Sequence, residues 1–387
     1  MVDIKNPKDC CGCTACASIC AHQAITMKPD VLGFLYPVVD VTKCVGCGLC
    51  DKICSFNDNY DVSLNLPSPD VYGVRHRDMS EIMKSRSGAM FAAISDYVIE
   101  HGGVVYGAGY EGHFRVVHKR AITKEERDEF RGSKYVQSDL KDVFLQVKSD
   151  LNSGMSVLFS GTPCQTSGLN SFVGKRFREN LLLVDIICHG TPAPFLWRDY
   201  LAYLEKKKND VVCKVNFRDK VRFGWKAHHE SFVFEQDNDK TYTYTYTYTF
   251  YKHIMFRHSC GNCHFCNTKR PSDITLADFW HWQNVDKTFN ADNKGANLVL
   301  VNTSKGREIF NAVKSQLNII PVELEKCMQG NLRRPSPPHP QRQQFENYYA
   351  KYGFEKAMCR FGMMGWRHEM HIFVSKLKRI KRKFLRR

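Results

Sequence analysis

The order of apolar and polar positions divides the middle of the chain into alternating short and long elements. Short apolar runs predict strands at residues 71–76, 104–111, 156–160, 181–188 and 296–303. Between them, apolar residues recur every three or four positions, which predicts helices within 85–103 and 304–317. The run at 181–188 is apolar almost throughout, as expected for a strand covered on both faces. The pattern predicts an α/β core with a mostly parallel sheet.

Two further segments predict hairpins. Residues 24–40 fit a short hairpin, and residues 231–250 fit a longer one that turns at DNDK. The second contains a strict Tyr/Thr alternation, which in a strand would place the tyrosines on one face. That face would pack on the core or, alternatively, form an aromatic wall beside a planar ligand.

Changes in composition along the chain, including its proline-rich stretches, predict five parts. They are a cysteine-rich module at 1–60, a linker at 61–70, the α/β core at 71–330, a proline-rich linker and helix at 331–370, and a basic amphipathic tail at 371–387.

Composition is that of an ordinary soluble protein, with 387 residues, 43% hydrophobic and 25% charged. The N-terminus has no apolar signal segment, and the longest apolar runs are too short to cross a bilayer. We therefore expect a cytoplasmic location. Seventeen cysteines in a reducing compartment indicate metal binding or redox chemistry rather than disulfides.

The net charge of +16 is concentrated at the C-terminus, where the last twelve residues hold eight Lys or Arg. Phe373, Leu377, Ile380 and Phe384 would form one apolar stripe on a basic helix. The tail is predicted to lie on an anionic membrane surface or an acidic partner, and the alternative is a solvated, disordered segment. Nucleic-acid binding is not predicted, because no recognition fold accompanies the basic run.

The N-terminal module contains the spacing C-x2-C-x2-C-x3-C twice, at 10–20 and 44–54. This spacing is typical of two-cluster ferredoxins, in which the fourth cysteine of each motif binds the other cluster. One 4Fe–4S cluster would then be held by Cys10, Cys13, Cys16 and Cys54, and the other by Cys44, Cys47, Cys50 and Cys20. A pair of zinc sites is the alternative. Cys11 is surplus to both sets and is interpreted as a small buried or loop residue.

Five thiols of the core are candidates for a third cluster. Cys164 and Cys188 lie at or just past the ends of predicted strands, and such ends share one edge of a parallel sheet. Cys260, Cys263 and Cys266 form a C-x2-C-x2-C loop that we expect to face them. A cluster needs four of the five, and zinc in the loop is the alternative.

Several ordered motifs between about residues 70 and 325 resemble the β-subunit family of coenzyme F-420 hydrogenases and dehydrogenases. They are RGSKYVQS (131–138), LFSGTPCQTSGL (158–169), ICHGTPAPFLWRDYL (187–201), FRDKVRFGWK (217–226), SCGNC (259–263), SDITLADFW (272–280) and DNKGANLVLVNTSKG (292–306). The resemblance implies FAD beside an iron–sulfur cluster and electron exchange with an organic acceptor. Because it is strongest over SCGNC, Cys266 is the expected spare thiol. Some similar proteins are encoded among surface-polysaccharide genes.

Given this resemblance, seven residues have predicted roles outside the clusters. Cofactor contacts are predicted for Ser85, Ser87 and Gly88, at the flavin phosphates, and for Thr162 and Gln165, beside the flavin ring. Lys134 would bind an anion or donate a proton, and His189 would donate a proton. The structural alternatives are a helix cap for the serines, a solvent-exposed lysine and a satisfied histidine.

The sequence thus predicts an iron–sulfur flavoprotein oxidoreductase that receives electrons from a redox partner protein and acts on a small organic substrate, in the context of surface-polysaccharide biosynthesis. The alternative is a non-catalytic electron-transfer or docking subunit that feeds a partner enzyme.

Overall fold

The computed structural model describes residues 2–56, 60–237, 239–366, 368 and 370. The predicted amphipathic tail at 371–387 lies outside the described residues. No helix among those described is both long and apolar enough to cross a membrane.

The strands of the described chain form three sheets. In chain order they are β1 (Ile25–Pro29), β2 (Leu35–Val39), β3 (Asn65–His76), β4 (Val104–Glu111), β5 (Arg115–Ala121), β6 (Val157–Gly161), β7 (Leu181–Ile186), β8 (Val212–Asn216), β9 (Glu230–Phe234), β10 (Thr241–Thr243), β11 (Ile274–Asp278), β12 (Asn297–Thr303) and β13 (Leu317–Pro321).

The α-helices vary from one turn to four. They are α1 (Ala15–Ile19), α2 (Leu49–Lys52), α3 (Met79–Lys84), α4 (Met90–Glu100), α5 (Lys124–Asp128), α6 (Val143–Asn152), α7 (Pro163–Val173), α8 (Pro194–Lys208), α9 (Lys220–Phe223), α10 (Thr245–Tyr251), α11 (Ser304–Val313), α12 (Leu324–Cys327), α13 (Arg342–Tyr352) and α14 (Phe354–Arg360).

The core is built on an eight-stranded mixed sheet in the order β13-β3-β12-β11-β7-β6-β4-β5. The neighbours β4, β6, β7 and β11 run parallel, while the other four pairings are antiparallel. The predicted mixed α/β class is confirmed, but the expectation of a mostly parallel sheet is wrong. Strands joined by helices are parallel, whereas short connections such as the three residues between β4 and β5 return the chain antiparallel.

Both faces of the sheet are covered by helices. On one face α4 and α11 pack through Ile94, Val98 and Phe310, and on the other α6 and α7 pack through residues such as Phe144 and Leu169. These five side chains are almost fully buried, and each such burial contributes about 1.5–3 kcal/mol. Strand β7 is buried at five of its six positions, as its apolar run predicts.

The N-terminal module docks on the α6–α7 face. Its hairpin of β1 and β2 is confirmed, with register Ile25 to Val39. Cys11, Cys13 and Ala15 belong to the same buried cluster as α6 and α7. The module therefore shares its apolar surface with the core.

The segment predicted as a linker, 61–70, is partly strand, because β3 begins at Asn65. Strand β13 pairs with β3 only from Tyr72 onward, so the N-terminal half of β3 has a free edge. Pro67 and Pro69 are tolerated there because an edge strand needs fewer backbone donors.

The structure of the Tyr/Thr repeat differs most clearly from the prediction. A hairpin forms between β9 and β10, but β10 ends at Thr243 and residues 245–251 form helix α10. Tyr246, Thr247, Thr249 and Phe250 are buried, which is helical rather than alternate spacing. The repeat therefore presents neither one tyrosine face nor an extended aromatic wall.

The C-terminal part of the described chain completes the core. Within the region predicted as a proline-rich linker and helix, α13 and α14 pack beside α8 through Phe345, Tyr349 and Phe354.

Candidate functional site

The first N-terminal cysteine set is brought together around helix α1. Burial raises the pKa of the Cys16 thiol, and nearby Cys13, Cys10 and Cys54 raise it further, in that order. Burial and then Cys13 raise the pKa of Cys54 to about 11. The loop can close because Gly12 and Thr14 have positive φ values of 72° and 64°. The fourth cysteine of the second motif thus lies beside the first three of the first motif.

The second set lies between α1, α2 and the hairpin. Cys20 and Cys50 pack in one small apolar group with Cys16. Backbone N–H groups point at two of these sulfurs, from Ala24 to Cys20 at 3.4 Å and from Val2 to Cys50 at 3.3 Å. The two remaining thiols are nearer solvent, since Cys44 is half-buried and Cys47 is exposed.

The core thiols converge at the carboxyl ends of two neighbouring parallel strands. Cys164 lies in the first turn of α7, directly after β6, and Cys188 lies two residues after β7. Burial raises the pKa of Cys188 well above its usual value, and Cys260, Cys164 and Cys263 add to the effect. Burial likewise raises the pKa of Cys260 to about 11, although the Thr191 N–H donates to its sulfur at 3.3 Å.

Cys266 lies beside two of these core thiols. A hydrogen bond from Cys263 lowers the pKa of Cys266, while burial and the nearby thiol of Cys188 oppose that shift. The expectation that Cys266 is the spare thiol stays a prediction.

Cys11 joins the two groups of thiols. Its side chain hydrogen-bonds to both Cys13 and Cys164, which raises its own pKa well above the usual value. The same contact lowers the pKa of Cys164 to about 7. Gly168 of α7 allows this close approach, since a Cβ there would lie 2.7 Å from Cys13 Sγ. Cys11 is buried, as predicted, but its position between two candidate ligands has no signal in the spacing.

Arg257 is a second residue of the candidate site that sequence reasoning missed. Its guanidinium donates to the carbonyls of Cys10 and Leu35, each at 2.8 Å, and its Nη2 lies 3.6 Å from Cys10 Sγ. It also lies 4.2 Å over the Tyr36 ring. Only 2% of Arg257 is exposed, so a fixed positive charge lies beside the first thiol set.

Thiolate donors of this kind are those that iron–sulfur clusters use. Among the residues described, no group of three or more His, Cys, Asp or Glu side chains is arranged to hold one metal ion. In a 4Fe–4S cluster the four thiolates bind different iron atoms, so their sulfurs stand apart. Backbone N–H groups aimed at Cys20, Cys50 and Cys260 are the second-layer contacts that such thiolates accept.

The residues predicted to contact a flavin fall into two separate places. Ser87 donates to the Ala296 carbonyl at 2.6 Å, while a Cβ on Gly88 would lie 2.2 Å from the Val74 carbonyl oxygen. Gly88 is therefore needed for strand packing. Ser85 is half-buried at the end of α3.

Thr162 and Gln165 lie with the core thiols. Thr162 Oγ1 is 3.2 Å from Cys164 Sγ, and Gln165 completes a capping box with Thr162 at the start of α7. Their predicted contact with the flavin ring remains a prediction, and the structure places them beside Cys164.

The two predicted catalytic residues have different surroundings. Lys134 Nζ donates to the Glu129 carbonyl at 2.7 Å, and burial lowers its pKa to about 8. His189 is half-buried beside Cys188, with Nε2 2.9 Å from His253 Nε2 and Nδ1 3.0 Å from Asn331 Oδ1. Burial lowers the pKa of His189. Of the two, His189 lies nearer the core thiols, and Lys134 is occupied by its own loop.

The fold and site define a cysteine-rich mixed α/β protein whose N-terminal module docks on the core. Residues 154–325 match the family model that describes the C-terminal part of the beta subunit of coenzyme F420 hydrogenase/dehydrogenase. This match agrees with the family that the sequence motifs resemble.

A solved structure also resembles the chain. The xenon-derivatized F420-reducing NiFe hydrogenase complex from Methanosarcina barkeri contains a chain of 15% identity, with a TM-score of 0.46. The similarity covers 76% of this chain and 91% of that chain. A comparison with curated proteins finds no significant match.

Proposed function

We propose that this chain is an iron–sulfur flavoprotein oxidoreductase that accepts electrons from a redox partner protein and delivers them to a small organic substrate. The match of residues 154–325 to a family of hydrogenase and dehydrogenase subunits supports an oxidoreductase role. A place in surface-polysaccharide biosynthesis stays a prediction from the resemblance alone.

The observation that carries the proposal is the contact of two thiol groups through Cys11. Its side chain hydrogen-bonds to Cys13 in the N-terminal module and Cys164 in the core. Two cofactor sites so close together suit electron transfer between them, whereas a purely structural metal module would gain nothing from the contact.

Three sets of four cysteines would hold three 4Fe–4S clusters. In the proposed assignment these are Cys10, Cys13, Cys16 and Cys54; Cys20, Cys44, Cys47 and Cys50; and Cys164, Cys188, Cys260 and Cys263. When bound, clusters supply single-electron steps, and FAD supplies the exchange between one and two electrons.

The protein's own side chains exclude water and position the cofactors. Core thiols such as Cys164 and Cys260 lie in a region lined by buried aromatic rings, including Phe256 and Phe265. His189, between Asn331 and His253, is placed to hold a proton beside Cys188. The buried surroundings keep the thiols from oxidation by solvent-borne species.

The direct test is anaerobic purification followed by iron, sulfide and flavin analysis. Three clusters predict about twelve irons per chain and two predict about eight. The double variant Cys260→Ser/Cys263→Ser should lose about four, while Cys213→Ser, at an exposed thiol, should lose none. A full iron content with no flavin, bound or bindable, would refute the flavoprotein proposal and favour the electron-carrier alternative.

A further inference from the structure

Three cationic side chains from separate parts of the chain meet beneath the end of β11. Arg86 comes from the loop before α4, Arg218 from the loop after β8, and Lys220 from the first turn of α9. Arg218 and Lys220 are 4% and 5% exposed. Arg86 and Arg218 both donate to the same carbonyl oxygen, that of Trp225, at 2.5 and 3.0 Å. Two like charges are thus held close together inside the protein.

The charges of this group do not balance. Asp278 is paired with Arg218, with Oδ2 2.6 Å from Nη1, and is the carboxylate that acts on all three cations in the described chain. Burial, and then repulsion from Arg86, lowers the pKa of Lys220 to about 7. Burial likewise lowers the pKa of Arg86 to about 10. Lys220 Nζ also donates to the carbonyls of Ile82 and Lys294. Two arginines and this lysine of lowered pKa therefore share the carboxylate of Asp278.

Several hydrogen-bond donors of the group lack an acceptor among the described residues. Arg86 Nε and Nη1 and Arg218 Nε are buried, and none of them has a hydrogen-bond partner within the part of the chain that is described. A buried donor left unpaired destabilises the fold. A bound anion would accept from these donors and offset the excess charge.

An aromatic rim lies beside the group, and Arg218 lies 5.2 Å over the Trp280 ring. Trp280 is half-buried and stacks on Trp225 with ring centroids 4.7 Å apart, and His228 stacks on Trp280 at 5.6 Å. The exposed Tyr251 hydroxyl lies 2.6 Å from His228 Nδ1, and its ring lies 5.8 Å from that of His189. The rim thus joins the cations to the residue beside Cys188.

We propose that Arg86, Arg218 and Lys220 form a binding site for the phosphate or carboxylate group of a planar organic molecule. The identity of that molecule as the flavin or the reduced substrate rests on the proposed function, whereas anion binding itself does not. An arginine pair suits such a group because planar guanidinium forks match its oxygens. The stacked rings of Trp280 and His228 would contact the planar part.

The test compares FAD, FMN, riboflavin and inorganic phosphate as ligands of the full chain carrying its clusters. Flavin binding is followed by fluorescence quenching and phosphate binding by calorimetry. The informative variant is Arg86→Gln, which removes unpaired donors and should fold. The matched control is Arg75→Gln, whose side chain is already paired with Asp292 at 2.6 Å. Arg86→Lys, which keeps the charge, provides a second variant if the first is unstable.

The outcomes separate the two sources of the anion. If the site holds a flavin phosphate, Arg86→Gln should weaken FAD and FMN binding at least tenfold and leave riboflavin unchanged. If it holds a substrate group, flavins should bind equally to both chains, and the variant should lose phosphate binding at least tenfold. Phosphate binding without any flavin binding would refute the proposed function but support the anion site. Equal affinities of Arg86→Gln and Arg75→Gln for every ligand would overturn the anion site.

Discussion

Arg257 combines two roles that are usually separate, since it fixes a loop and places a charge. Its donation to the Cys10 and Leu35 carbonyls ties the N-terminal module to the core segment that leads into Cys260. Because little solvent screens a side chain that is 2% exposed, its charge acts strongly on the neighbouring thiol set. Reduction adds negative charge to a cluster, and a nearby cation stabilises the reduced form.

Arg257→Gln is therefore expected to lower the midpoint potential of the cluster that we propose is held by Cys10, Cys13, Cys16 and Cys54. We expect a shift of several tens of millivolts. For a one-electron couple, about 59 mV corresponds to a tenfold change in the redox equilibrium. Redox titration followed by electron paramagnetic resonance measures it. Arg257→Lys, which retains the charge, should shift the potential less, and an unchanged potential in both variants would contradict the electrostatic role.

Substitution of Cys11 tests whether this buried thiol, which lies between two proposed ligand sets, is itself a ligand. Cys11→Ala should retain the full iron content, because none of the three proposed sets includes it, while Cys13→Ala should lose about four irons. Cys11→Ala should also lower the potentials of the clusters beside it, since it removes an S–H donor from Cys13 and Cys164. Loss of iron in Cys11→Ala equal to that in Cys13→Ala would show that Cys11 is a ligand instead.

Helix α10 shows how an element can depend on a distant residue. Its first residue follows Tyr244, which provides no side-chain cap, and the buried Glu230 of β9 accepts from the Thr247 N–H instead. The Thr243 hydroxyl also donates to Glu230, at 2.6 Å. Burial raises the pKa of this carboxyl to about 7. A carboxyl of raised pKa stabilises the fold in its protonated form.

The stabilisation from Glu230 should be complete below pH 4.5, the ordinary pKa, and lost as the pH rises through 7. The loss amounts to about 3 kcal/mol. Glu230→Gln, which is neutral at all pH values, should therefore reduce the difference in melting temperature between pH 5.5 and pH 8. The measurement is thermal unfolding of both chains under anaerobic conditions. An identical pH dependence would show that Glu230 does not titrate in this range.

The same helix shows where sequence pattern loses its predictive power. Strands β4, β6, β7 and β12 follow from apolar runs because each is buried in the sheet and its pattern is local. The meeting of Cys164 with Cys188 also follows from local pattern, since both come after neighbouring parallel strands. The Tyr/Thr repeat does not, because its alternation favours a strand while the cap from Glu230 and burial of Phe250 favour a helix. Tertiary contacts override propensity there.

Contacts between distant elements were equally unpredictable. Nothing in the sequence places Arg257 against Cys10, or Arg86 beside Arg218, because these pairs lie 247 and 132 positions apart. Cysteine spacing identifies sets of ligands, but it does not state which set faces the core. That distinction comes from the docking of Cys13 against Gly168 of α7.

At the scale of the whole molecule, the three thiol sets form a sequence from surface to interior. Cys47 is exposed, Cys13 is buried against α7, and the core thiol Cys188 lies beyond them at the sheet edge. The outer set is surrounded by exposed apolar side chains, with Val41 70%, Val45 62% and Leu49 49% exposed. An exposed apolar patch of this kind is typical of a protein contact surface. We therefore expect a one-electron carrier protein to dock at this patch.

Val45→Asp should weaken docking of that carrier without altering the clusters. We expect the concentration of reduced carrier at half-maximal rate to rise about tenfold, which corresponds to about 1.4 kcal/mol of lost contact energy. Reduction by dithionite, a small reductant that needs no docking surface, should proceed at the rate of the native chain. Ile122→Asp is the matched control, because Ile122 is 49% exposed on the core between β5 and α5. Equal effects of the two substitutions would mean that electrons enter elsewhere, since only Val45 lies beside the exposed thiol.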